Sequence, residues 1–265
     1  MLYQTAAQLR GAFDALADTG KFPDATIEGH LAAFDAIAVD YRGVAFATRS
    51  QVDLWVLREC DTSLRLSWPK VRAVTSVTVT SPAVGGTEQV LAATEYTVDE
   101  LAGVLYCPAG FAAGDRVAVA YTHGLGYRVL ADGVTASGDA TVTSATGAFT
   151  DADLGTPVAG TGIPSGSAIV AINSATSVEL SAAATATGTG VTLTLADPLL
   201  VQAAREYVRS SSLSGRSGAP RDIISQSVEG LTTRFSTPDK ANRRPTGYLD
   251  VDRLLNSLPD YRAPF

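Results

Sequence analysis

No lysine or arginine occurs between Arg128 and Arg205, and acids are the only charges in that stretch. Cysteine is almost as scarce. Cys60 and Cys107 are the whole supply, with no CxxC and no histidine near them in sequence. That excludes a disulfide framework or a zinc ribbon and reads as two reduced thiols in a protein made in cytoplasm. No apolar run approaches the roughly 20 residues that span a bilayer, so no membrane role is expected. "MLYQTAAQLRGAFDAL" lacks the basic flank and apolar block of a signal peptide. HExxH, GxSxG and GxxxxGK[ST] are absent, which removes the common signatures of zinc proteases, serine hydrolases and P-loop enzymes. "GTGIPSG" is followed by the strand-like "SAIVAI", not by the helix that a dinucleotide fingerprint opens. His30 lies off its helical stripe, and His123 stands alone after a strand in "YTHGLG". Asp151 and Asp153 in "TDADLG" lack the closing glutamate of a calcium loop and read as an Asx-rich turn. The expectation is no enzyme, no cofactor and no metal.

What is present divides the chain by charge. Residues 1–128 carry 10 basic and 14 acidic side chains, residues 129–204 none and 6, and residues 205–265 carry 10 and 7. The net of −7 argues against a protein that grips nucleic acid by its phosphates. Three characters in one chain suggest an insertion between two halves of something else.

Thr5 with Gln8 forms a capping-box start, and Leu9, Phe13 and Leu16 extend a helix that Gly20 should end. Asp24 should cap a second helix with the stripe Ile27, Leu31, Phe34, Ile37, Ala38, Tyr41, stopped by Gly43. From Val44 to Tyr121 the period becomes two: "LRLSW", "VTSVTVTS", "EYTV", "GVLYC" and "DRVAVAYTHG" read as antiparallel strands and hairpins. Within 129–196, "ATVTSA", "TPVAG", "SAIVAI", "SVELS" and "GVTLTLA" are further short strands, with Phe149 the sole aromatic. Asp197 and Pro198 then open "PLLVQAAREYVRSS", whose apolar face is Leu200, Ala203, Ala204, Tyr207 and Val208. Beyond Ser210 the chain turns polar and irregular until "DVDRLLNSL". A stretch with so little core of its own usually docks on something else. The fold class expected is α+β: a helical bundle with antiparallel β-hairpins, an inserted all-β domain and an extended C-terminal arm.

The stretch "GTGIPSGSAIVAINSATSVELS" resembles small β-modules of phage tail and surface proteins. The flanks resemble the head-to-tail connectors, or adaptors, of tailed bacteriophages. The resemblance rests on "VRAVTSVTVTSP", "EYTVDELAGVLYCPAGFAAGDRVAVAYTHGLG", "LVQAAREYV" and a C-terminal pattern. That pattern is S-x-E-G then R-x-T-G-x-x-x-V-D-x-x-L: Ser227, Glu229, Gly230, Arg244, Thr246, Gly247, Val251, Asp252 and Leu255. It implies a structural virion protein. Residues 1–128 with 197–214 would be the adaptor body, 129–196 the inserted module and 215–265 an arm docking on the portal. Arg234, Arg243, Arg244, Thr246, Gly247, Tyr248, Asp250, Asp252 and Leu255 would carry docking to portal or neighbouring subunits. Partners implied are the portal protein, a stopper or tail-completion protein and the chain itself, in a cyclic ring of about twelve copies. DNA would pass through the lumen without specific binding, and the site of action would be the virion neck. The alternative is a virion surface or tail-associated protein whose β-module holds host glycans.

Overall fold

The fold comes from a computed structural model, which describes residues 3–82, 88–214, 225–228, 231–234 and 246–260. It is mixed α+β, with four α-helices among the described residues and antiparallel sheets, one curled as a half-barrel.

The Thr5 hydroxyl accepts from Gln8 N–H and the Gln8 side chain accepts from Thr5 N–H, so α1 (Ala6–Ala12) starts where the capping box places it. It stops sooner than the apolar spacing predicts. Phe13 is extended, and Asp14–Leu16 form a separate 3-10 turn. Arg10 explains the break: its guanidinium donates to Leu16 O and Phe22 O and pairs with Asp24, wrapping the chain around itself. Asp24 is thereby spent on Arg10. Pro23 holds the N-cap position of α2 (Asp24–Arg42) with no side-chain cap bond, a correction to the expected Asp24 cap. At the other end Gly43 takes φ +69°, the left-handed stop expected of it.

Eight strands follow: β1 (Arg49–Val56), β2 (Asp61–Arg65), β3 (Val71–Thr80), β4 (Glu88–Val90), β5 (Thr97–Asp99), β6 (Val104–Phe111), β7 (Arg116–His123) and β8 (Arg128–Thr135). Then come β9 (Thr141–Thr143), β10 (Val158–Ala159), β11 (Ile169–Ser174), β12 (Ser177–Leu180) and β13 (Gly188–Leu195). A four-stranded sheet runs β1-β7-β3-β4 and a three-stranded one β2-β6-β5. Their facing sides share a core of Leu64, Val77, Leu105, Val119 and Tyr121. The six-stranded sheet, β10-β13-β8-β9-β12-β11, is built wholly from residues 128–195. Its own core gathers Leu130, Val142, Phe149, Ile169 and Leu193. Arg128 lies opposite Leu195 in the β8–β13 ladder, so the chain enters and leaves this sheet on adjacent strands.

Asp197 caps α3 (Pro198–Ser214) through Leu199 N–H at 2.8 Å. A hairpin of β14 (Ser225–Val228) and β15 (Leu231–Arg234) precedes α4 (Leu249–Ser257). Here the expectation of an arm without core fails for residues 246–258. Val251, Leu255 and Leu258 are buried in one cluster with Ile27, Leu31, Phe34, Leu200, Ala204 and Val208. The heptad-like spacing of those three residues gives the short helix an apolar stripe, and α3 and α2 cover it.

Candidate functional site

Thr246, Gly247, Val251, Asp252 and Leu255 of the C-terminal pattern form a structural lock. Thr246 N–H and its hydroxyl both donate to Asp252 Oδ1, at 3.0 and 2.6 Å, closing a loop over the first turn of α4. Tyr248 N–H donates to the Thr246 hydroxyl at 3.2 Å. Between them Gly247 takes φ +76°, a conformation that costs any side chain strain. At the far end, buried Arg42 donates from Nε to Leu255 O at 2.7 Å and also from Nη2. Leu255 O also accepts from Leu258 N–H at 3.2 Å, so the guanidinium adds to an existing C-cap bond and meets the negative end of the helix dipole. Tyr41 OH donates to Asn256.

This divides the expected docking residues. Leu255 is 0% exposed, and Thr246 and Asp252 are buried, so all three are occupied inside their own subunit. Tyr248 is half-buried and meets Tyr207 edge to face at 5.7 Å. Gly247 and Asp250 face solvent, Asp250 beside Arg253 at 3.9 Å. Arg243 and Arg244 lie outside the described residues, as does the side chain of Arg234 on β15. The burial of Leu255 was readable in the Val251–Leu255–Leu258 spacing; its partners on α2 and α3, more than 40 residues away, were not.

A second constellation joins the six-stranded sheet to the rest. Asp153 is fully buried, and its carboxylate accepts from Arg72 at 2.8 Å, from Arg128 at 3.0 and 3.1 Å and from Thr150 N–H at 3.0 Å. Burial alone would raise its pKa. The bonds and charge of Arg128, the Thr150 amide and Arg72 overbalance it and hold the carboxyl below the usual range. Asp153 also closes a capping box with Thr150, so the turn is an ion-pair hub as well as an Asx-type turn. Gln8 adds a bond to Thr194 at 3.1 Å. Beside the hub is a cleft of about 460 Å³ lined by Lys70, Arg72, Leu101, Leu125, Asp151 and Leu154, a mixture without a nucleophile–base pair. Phe149 is buried under Arg128, whose guanidinium lies 5.4 Å from the ring centre, so the module's one aromatic offers no face to a sugar.

His123 is the last residue of β7 and is buried, stacked on Trp68 at 5.1 Å. Burial, then the charge of Arg49, pushes its pKa down to about 4, which keeps it neutral near pH 7. His30 is half-buried on α2. Asp53 accepts from Ser67 N–H at 2.6 Å, Tyr121 OH at 2.9 Å and Gln51 at 3.0 Å. Burial opposes its ionisation, but these bonds hold its pKa below the usual carboxylate range. Cys60 is exposed and Cys107 buried, both free thiols. Among the described residues no three His, Cys, Asp or Glu converge as metal ligands, and no helix is long and apolar enough to cross a membrane.

No family model matches the chain, and no curated protein matches it. Among solved structures, a chain from the neck of an empty GTA particle computed with C6 symmetry is similar at 20% identity and a TM-score of 0.36. The likeness covers 46% of this chain and 66% of that one, just under two thirds of its length. At that identity and TM-score the likeness carries no functional argument.

Proposed function

We propose that the chain is a structural subunit of a virion neck: a head-to-tail adaptor whose copies form a ring beneath the portal and pass the genome to a stopper or tail-completion protein. What carries the reading is the C-terminal pattern, which resembles that of adaptors and is built into the subunit as a lock. Thr246, Gly247 and Asp252 close the start of α4, while Val251 and Leu255 bury it against α2 and α3. In sequence, residues 215–245 join α3 to α4, two helices that pack on each other and share one core. Arg234, Arg243 and Arg244 belong to that connection, and Asp250 and Arg253 are exposed beside its return point. Polar and ionic contacts with the portal follow from those residue types. The acidic balance of residues 1–204 suits a lumen that must not retain DNA, since like charge repeated around a ring repels phosphate.

The test is mass measurement of the full chain, alone and mixed with the portal protein of the same particle. The expected result is a portal-bound ring, with binding weakened by the double variant Arg243→Ala, Arg244→Ala while α-helical signal is unchanged. A wild-type chain that stays monomeric and unbound at low salt overturns the proposal.

A further inference from the structure

We propose that the four-stranded sheets of neighbouring copies join edge to edge, β1 of one copy to β4 of the next, as one continuous antiparallel belt around the assembly. The inference rests on the ring reading above and names the contact that builds the ring.

Alternation sorts the sheet's side chains. Val77, Val117, Val119 and Tyr121 point into the core against β2 and β6, and Asp53 and Trp55 lie opposite Val119 and Val117 on the same side. Val52, Leu54 and Val56 therefore occupy the other face, and they are 55%, 74% and 69% exposed. On β4, Val90 shares that outer face and is 62% exposed. The two central strands present only small or polar residues between them, Ala118 and Thr78 on the row that runs from Leu54 to Val90. Large apolar side chains on this face thus stand on its two edge strands alone, among the described residues.

Strand direction selects the occupant. β1, β7, β3 and β4 are each antiparallel to the next, so β1 and β4 run in opposite directions. Rotation about a ring axis lying along the strands preserves direction, so β4 of one copy meets β1 of its neighbour antiparallel. An odd number of strands would not allow this. The contact is heterologous and closes into a ring, whereas β1 against β1 would end at a dimer. Nothing on β1 guards against such pairing. Its ladder with β7 runs from Arg49↔His123 to Val56↔Arg116 without a bulge, and it holds neither proline nor lysine. Its one inward acid, Asp53, is neutralised as an obstacle by its three hydrogen bonds. Glu88 stands on the Val56–Arg116–Thr80 row, so joining the edges brings Glu88 of one copy to within one strand of Arg116 of the next. A shallow concavity of about 490 Å³ lies over the same sheet, lined by Thr78, Thr80, Arg116 and Ala118 between Leu54 and Val56 on one edge and Glu88 on the other. β4 has three residues, so each contact is small; closure of the ring multiplies it.

Disulfide trapping tests this in the full chain with Cys60→Ser. Leu54→Cys and Val90→Cys together, oxidised on the assembled protein, should give a ladder of dimer, trimer and higher species. An equal mixture of the two single variants should stop at dimers. Independently, Leu54→Glu, at an exposed position, should leave the monomer's circular dichroism unchanged and abolish the higher-mass species. Assembly by mass without a ladder overturns the inference and leaves the ring, as would ring formation by Leu54→Glu. Dimers from Leu54→Cys alone, in equal yield, overturn it in favour of β1–β1 pairing. A ladder with no portal binding by the wild type leaves the belt and refutes the adaptor role.

Discussion

Asp153→Asn puts the junction between the six-stranded sheet and the body under a defined load. The substitution keeps the shape of the side chain and removes one buried negative charge that two guanidinium groups share. Arg72 and Arg128 have side chains only 10% and 20% exposed, so neither can turn to water once the charge is gone. Breaking a buried pair by removing one partner costs about 3–5 kcal/mol, most of it the burden of the uncompensated charge left behind. For a protein of this size each kcal/mol moves Tm by about 2–4 °C, so a fall on the order of 10 °C is expected. The pH dependence gives a second handle. The folded pKa of Asp153 is depressed, so its contribution is present above the ordinary carboxylate pKa near 4 and is lost as pH falls through the folded value. Wild type and variant should therefore differ fully at pH 7 and converge in acid. Calorimetry at pH 7 and at about pH 3 measures both. A shift under about 2 °C at pH 7 would show that the hub is solvated in solution and that the junction is not held by charge.

Leu255→Ala should cost about 2–5 kcal/mol in urea unfolding, since it empties a fully buried position; a loss of assembly at unchanged stability would make Leu255 a docking residue after all. Replacing residues 131–194 by a short Gly-Ser bridge should leave a folded protein with intact α-helical signal, because Arg128 and Leu195 are paired and Arg72 regains water; keeping Ala196 matters, as it is buried among the helices. An unfolded product would make the six-stranded sheet integral to the body. For His123, the folded pKa of about 4 lies below its ordinary value near 6.5, so stability is full above that value and falls as pH drops towards 4, by at most about 1.4 kcal/mol per pH unit. His123→Asn should flatten that slope in urea titrations at pH 7, 6 and 5; an unchanged slope would assign the acid sensitivity elsewhere.

Signals closed within a few residues are legible in the amino-acid sequence alone. The Thr5–Gln8 box, the Gly43 stop and the Asp197–Pro198 opening each depend on backbone groups three or four positions away, and each stands where the local pattern puts it. Period two marks β3, β6, β7 and the short strands of residues 141–195 for the same reason: alternation records which face is buried. β1 carries the same alternation, but Val52, Leu54 and Val56 face outward while Asp53 and Trp55 face inward, so the pattern gives no warning of an exposed edge. The break at Phe13 required Arg10 to find Leu16 and Phe22, and the role of Asp153 required Arg72, 81 residues earlier. Leu255 became core because α2 and α3 were there to cover it. Local propensity is a property of adjacent residues, whereas burial and ion pairing belong to whichever distant surfaces the chain brings together, and those only the tertiary structure decided.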